Sequence, residues 1–172
     1  MHRRPTRAVC VFTLTLVCLA FAACGGEDSA KPAAAPADTL IDGGPAAFKA
    51  RLARLKGTPV VVNQWASWCG PCRYEFPFFG SQAERLKGRV AFLGVNSKDA
   101  RQDALDFLAR YPVPFEHFFD ADAAIARVFR GGRSWPTTAF YDAEGDLAFT
   151  RQGGYASEQD LADDIERYAL GG

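Results

Sequence analysis

A mixed β-sheet flanked by helices on both faces, an α/β fold with five predicted strands, follows from three features of the chain. Val60, Val61 and Val62 form an unbroken β-branched run, the pattern of a strand buried on both faces. Apolar runs of strand length alternate with helical patterns from residue 45 to residue 129, as in sheets with parallel strands. A hairpin turn at Glu144-Gly145 and a last helix close the pattern and make the sheet mixed.

The elements follow in order. Pro45 to Lys56 places Ala47, Leu52 and Leu55 on one helical face and stops at Gly57-Thr58-Pro59. Val60 to Trp65 is the first predicted strand. Cys72, Phe76, Phe79, Ala83 and Leu86 recur at helical spacing, so a helix runs from about Pro71 to Lys87, with Pro77 expected to kink it and Gly88 to end it. Val90 to Asn96 is a second buried strand, Asp103 to Arg110 a helix, Phe115 to Phe119 a short strand and Asp122 to Phe129 a helix. Pro136 to Tyr141 and Leu147 to Arg151 form the hairpin. Ser157, with Asp160 three residues on, caps a last helix carrying Leu161, Ile165 and Tyr168.

Ahead of this domain, assigned to residues 40–172, lie two segments of other kinds. Residues 1–23 open with Arg3, Arg4 and Arg7, continue as an apolar run from Ala8 to Phe21 and end in small residues, the three zones of a secretory signal. The apolar run is shorter than the ~20 residues of a spanning helix. Its end, Phe21-Ala22-Ala23-Cys24, resembles a bacterial lipobox, which implies lipid attachment at Cys24; ordinary cleavage after Ala20-Phe21-Ala22 is the alternative. In residues 24–39 the composition shifts to Ala, Pro, Ser, Asp and Lys without apolar periodicity, and the segment reads as a disordered tether. The formal net charge is zero, and removal of the three leader arginines makes the mature chain mildly acidic. With no basic stripe, nucleic acid is not an expected partner.

The five cysteines then sort themselves. Cys10 and Cys18 lie in the leader and Cys24 is the expected lipid site, so the domain keeps only Cys69 and Cys72. A structural staple across two intervening residues would remove little unfolded-state entropy, which favours a catalytic pair. One mature histidine and two cysteines do not assemble a four-ligand zinc site, so no metal and no cofactor beyond the cysteine pair is expected. His117, alternating with Phe115 and Phe119, reads as a packed or surface residue. The acids between residues 99 and 122 read as solvated faces. Trp65, Trp68 and Trp135 all flank the pair in sequence or in the expected fold, and together read as an apolar rim.

Trp68-Cys69-Gly70-Pro71-Cys72 after a strand, Pro77 five residues beyond the second cysteine, and the later Trp135-Pro136-Thr137-Thr138 resemble the thioredoxin fold over roughly residues 40 to 170. Cys72-Arg73-Tyr74-Glu75-Phe76-Pro77 is similar to the motif of the extracytoplasmic TlpA/ResA-like branch, and the strand and helix between Val90 and Pro136 are similar to its central insertion. The resemblance implies a cis Trp135-Pro136 bond packed against a Cys69–Cys72 disulfide, a substrate segment paired with the Trp135 backbone, and an active-site carboxylate at Glu75. Asn63 stands where thioredoxins proper carry a buried Asp, leaving Glu75 as the nearest titratable substitute in sequence.

The chemistry explains these residue types. The thiolate attacks a disulfide, and a free cysteine with a pKa of ~8.5 is mostly protonated at neutral pH. Cys69, at a helix N-terminus, faces unpaired N–H groups and the positive end of the helix dipole, which favour its thiolate. Cys69 is therefore the expected nucleophile and Cys72, at i+3, the resolving thiol. Pro71 supplies a helical φ without a surplus donor, and Gly70 keeps the approach open. Glu75, three residues beyond Cys72, is the candidate acceptor of the Cys72 proton or, alternatively, a solvated first-turn acid. Arg73 either favours the thiolates or is a solvated charge.

The expected function is an extracytoplasmic, lipid-anchored thiol-disulfide oxidoreductase, monomeric, acting on cysteine-containing exported proteins and reset by a membrane thiol-disulfide partner. Soluble periplasmic or secreted location is the alternative. The resemblance implies a reductase serving apocytochrome c maturation or thiol maintenance. An oxidase that forms disulfides is the second reading, and a copper-handling thiol protein is the third, from another class.

Overall fold

The computed structural model describes residue 2 and residues 39–172, and the elements of this second stretch follow a single layered plan. Six strands occur: β1 Leu40–Ile41, β2 Val60–Trp65, β3 Ala91–Ser97, β4 Glu116–Asp120, β5 Thr137–Tyr141 and β6 Leu147–Gln152. Between and after them lie the helices α1 Gly44–Arg54, α2 Gly70–Arg85, α3 Arg101–Arg110, α4 Ala124–Val128 and α5 Glu158–Asp164, the last continuing as a π-helical turn, Ile165–Ala169. The strand order is β1-β4-β3-β2-β5-β6, with β1 through β2 parallel and β5 and β6 antiparallel to their neighbours. The sheet is mixed and helix-covered, as the sequence predicts, but has six strands rather than five. The sixth, β1, is two residues long and carries no periodicity to read; it pairs with His117 and Phe118 of β4.

Strand alternation splits β2 into two chemistries. Val61 and Trp65 enter a core under α2, α3 and α5 with Phe76, Phe79, Phe107 and Leu161, while Val60 and Val62 enter the opposite core with Phe48, Phe118 and Phe129 under α1 and α4. Asn63 and Gln64, both buried, thus belong to opposite faces of the sheet. Because β2 is central and parallel to β3, its C-terminal end opens onto the crevice where α/β sheets place their sites.

Several polar residues lie deeper than the sequence reading expects. Asp120 is buried, accepts from the Ile125 and Ala126 amides at 2.8 and 2.9 Å and from the Ser97 hydroxyl, and so caps α4, whose own N-cap is an alanine. Glu116 is buried and paired with Arg51 of α1. These acids are structural, not solvated, because α1 and α4 pack on β4 and leave no solvent face there. His117 is fully buried between Trp65, Phe76 and Phe115, and its Nδ1 accepts from the Trp65 indole N–H at 3.2 Å. Gly94 makes room for it: a Cβ there would stand 1.8 Å from the His117 Nδ1.

Candidate active site

The chain leaves β2 at Trp65 and enters α2 through Cys69, which holds an extended conformation as the N-cap. Its sulfur accepts the Cys72 N–H at 3.1 Å, taking the place of the Ser or Asp oxygen usual at this position. Gly70 and Pro71 form the first helical positions, where the missing proline N–H is no loss. Cys69 and Cys72 are joined as a disulfide. Cys69 is 4% exposed and Cys72 not at all, so of the two only Cys69 has any surface open to solvent. When the bond opens, the same N–H and helix terminus favour charge on Cys69.

One turn deeper, Glu75 is fully buried. Its two oxygens are individually satisfied: Oε1 accepts the Asn63 amide at 2.9 Å and Oε2 the Tyr155 backbone N–H at 2.9 Å. Burial pushes its pKa up from 4.5 to about 7, and the two hydrogen bonds and the nearby Arg151 hold back part of that rise. A carboxyl poised near neutrality one helical turn from Cys72 is suited to exchanging a proton there. Gly154 closes the pocket. A Cβ at this residue would lie 3.3 Å from Glu75 Oε2, 3.4 Å from Pro136 Cγ and 3.6 Å from Pro71 Cβ, so the carboxylate, the second proline and the Cys-Gly-Pro-Cys turn converge on one point.

The Trp135-Pro136 bond is cis, and Pro136 precedes β5 rather than lying within it. Trp135 meets Trp68 at 5.6 Å between ring centroids, and Trp68, 57% exposed, forms the outer face of the pair. Trp68 is held by its indole N–H, which donates to the Lys98 carbonyl at 2.9 Å. Its neighbour Ser67 is held by Asp99, which takes the Ser67 N–H and hydroxyl while also accepting from Asn96. The loop after β3 therefore supports the approach to Cys69. Arg73 is exposed and donates to the Ser67 carbonyl at 3.2 Å.

Trp65 does not belong to this rim. As the last residue of β2 it points into the core, packed on Phe76, Phe107 and His117. The structure thus brings together Trp68, Cys69, Gly70, Pro71, Cys72, Glu75, Trp135 and Pro136, and adds Asn63, Asp99, Gly154 and Tyr155. Tyr155 acts through its backbone N–H, which leaves no mark on residue type, and Gly154 through the side chain it lacks. Apart from residue 2, the leader of residues 1–23, together with Cys24 and the rest of the tether to residue 38, lies outside the described residues. Among the described residues, no helix is long and apolar enough to cross a membrane.

A helix-headed cysteine pair facing a cis proline at the end of a central strand is the arrangement of the thioredoxin superfamily. Within it, the chain belongs to the AhpC/TSA family, whose model matches residues 33–150. It is 29% identical to the thiol-disulfide oxidoreductase ResA of Bacillus subtilis over 140 residues, covering 81% of this chain and 75% of that one. It is 38% identical to the thiol:disulfide interchange protein DsbE of Pseudomonas fluorescens over 93 residues, which is 54% of this chain and 51% of the relative; the match thus spans about half the length of that protein. Among solved structures, a putative thiol:disulfide interchange protein DsbE from Chlorobium tepidum superposes with a TM-score of 0.62 at 29% identity, over 68% of this chain and 84% of that one.

Proposed function

We propose that this protein is an extracytoplasmic thiol-disulfide oxidoreductase that reduces disulfides in cysteine-containing exported polypeptides, with apocytochrome c or thiol maintenance as its setting. The observation that carries the reading is the Cys69–Cys72 disulfide at the head of α2 with the buried Glu75 one turn below it. The names of the ResA and DsbE relatives agree with it.

In the reduced form, the Cys69 thiolate attacks one sulfur of a substrate disulfide. The substrate S–S bond breaks, a Cys69–substrate bond forms, and the second substrate sulfur leaves as a thiolate. Cys72 then gives its proton to the Glu75 carboxylate and attacks the Cys69 sulfur. The Cys69–Cys72 bond closes, the first substrate sulfur departs, and two electrons have passed to the substrate. A dithiol partner at the membrane reverses the sequence and restores the pair. Trp68 and Trp135 offer an apolar surface beside Cys69, suited to unfolded polypeptide.

Two features support the reducing direction. Gly70-Pro71 is the dipeptide of thioredoxin, and an ionisable carboxyl near the pair opposes accumulation of thiolate, which favours the disulfide over the dithiol. Attachment to the membrane through a lipid on Cys24 completes the proposal; mass spectrometry of the mature N-terminus tests it. The exchange itself is tested with Cys72→Ser. This variant leaves Cys69 able to attack but removes the resolving thiol, so it accumulates a covalent mixed disulfide with a cysteine-containing polypeptide. Failure of reduced Cys72→Ser to form any adduct contradicts the mechanism.

A further inference from the structure

Gln64 faces away from the cysteine pair, on the α1 and α4 side of β2, and is fully buried. Its Oε1 accepts the Gly132 N–H at 2.8 Å, while its Nε2 has no partner. Gly131 is shaped around this contact, since a Cβ there would lie 2.3 Å from Gln64 Oε1 and 2.8 Å from Phe129. The segment so gripped, residues 129–134, leads directly into Trp135-Pro136. Other side chains grip it as well: Thr150 donates to the Phe129 carbonyl, Gln152 to the Arg130 carbonyl and Thr137 to the Ser134 carbonyl. Arg130 and Gly132 both hold positive φ, so the path of the segment is set by these contacts and not by a regular element. The indole N–H of Trp135 is buried without a partner, a placement that the chain does not adopt unless it is held there.

We propose that Gln64 is a positioning residue for substrate recognition, fixing the segment that sets Trp135 against Trp68. Asn63 and Gln64, adjacent on β2, then serve the two halves of one site from opposite faces of the sheet: Asn63 holds the carboxyl beneath the cysteines, and Gln64 holds the rim. The structural half of this inference rests on geometry alone; its kinetic half rests on the proposed reduction of polypeptide disulfides.

The test compares wild type with Gln64→Met, which fills similar volume without an oxygen acceptor, and with Gln64→Glu studied below the pKa of the introduced carboxyl, where an uncharged acceptor is restored. Amide exchange by NMR is expected to quicken at Gly132 by roughly fivefold in Gln64→Met, the effect of losing one hydrogen bond. The Trp135 indole resonance should move with it. KM for an insulin disulfide should rise severalfold while the rate with a small-molecule disulfide stays unchanged, and Gln64→Glu should recover the wild-type values. Unchanged Gly132 exchange and Trp135 resonance overturn the proposal, as does an equal loss on both substrates. If wild type turns over neither disulfide, the proposed function fails, and the NMR measurements still decide whether Gln64 holds the segment.

Discussion

Replacing Glu75 with Gln should make the oxidised protein more stable above neutral pH and slower in turnover. The shift of Glu75 from 4.5 to about 7 means that between those values the folded protein holds a proton the unfolded chain has released. Stability therefore falls as pH rises through this window. At about 1.4 kcal/mol per unit, the loss reaches about 3 kcal/mol by pH 8. His117, lowered from 6.5 to about 3 by burial, acts in the opposite sense: the unfolded chain takes up a proton below pH 6.5 that the folded one refuses, so stability falls as pH drops. Between pH 4.5 and 6.5 the two slopes oppose each other and conceal both in wild type. The difference between wild type and Glu75→Gln isolates the carboxyl. Gln retains an oxygen for the Tyr155 N–H, and its NH2 can meet Asn63 Oδ1, which lacks a partner, once the Asn63 amide turns over. Urea denaturation at pH 4.5 to 8.5 should therefore show the variant gaining up to about 3 kcal/mol on wild type across the range. Release of the mixed disulfide at pH 7 should slow by ~10²-fold, with its rise through pH 7 abolished. A stability difference independent of pH would refute the reasoning.

Further substitutions probe other contacts. His117→Phe should flatten the acid limb of stability below pH 6.5 while costing about 1–2 kcal/mol at neutral pH, because the Trp65 N–H loses its acceptor; denaturation at pH 4 and pH 7 measures both. Gly154→Ala places a methyl 3.3 Å from Glu75 Oε2 and should destabilise by about 1–2 kcal/mol, seen as a lower Tm. Trp68→Ala, at an exposed residue, should cost less than about 1 kcal/mol of stability yet raise KM for an unfolded polypeptide disulfide severalfold.

What could be read in the sequence was what is written in neighbouring residues. Cys69 to Cys72 lie in one turn, and Glu75 follows on the same helical face, so spacing alone set them together. The unbroken run Val60 to Val62 identified β2 as buried on both faces, and strand alternation, followed to its end, turns Trp65 into the core and away from the rim. Contacts that cross the fold left less trace. Tyr155 serves Glu75 through its amide from 80 residues away, and every residue but proline has that donor. Gly154 matters through the side chain it lacks. Asp120 and Glu116 read as solvent-facing because only their partners, the first turn of α4 and Arg51, show that they are covered.

The most direct measurement is the equilibrium redox potential of the Cys69–Cys72 pair against glutathione, followed by tryptophan emission, since Trp68 adjoins Cys69 and packs at a tilt against Trp135. A reductant should have a potential near or below the ~−270 mV of thioredoxin. A value near ~−120 mV, that of the strongest oxidants of this fold, would contradict the proposed direction of electron flow.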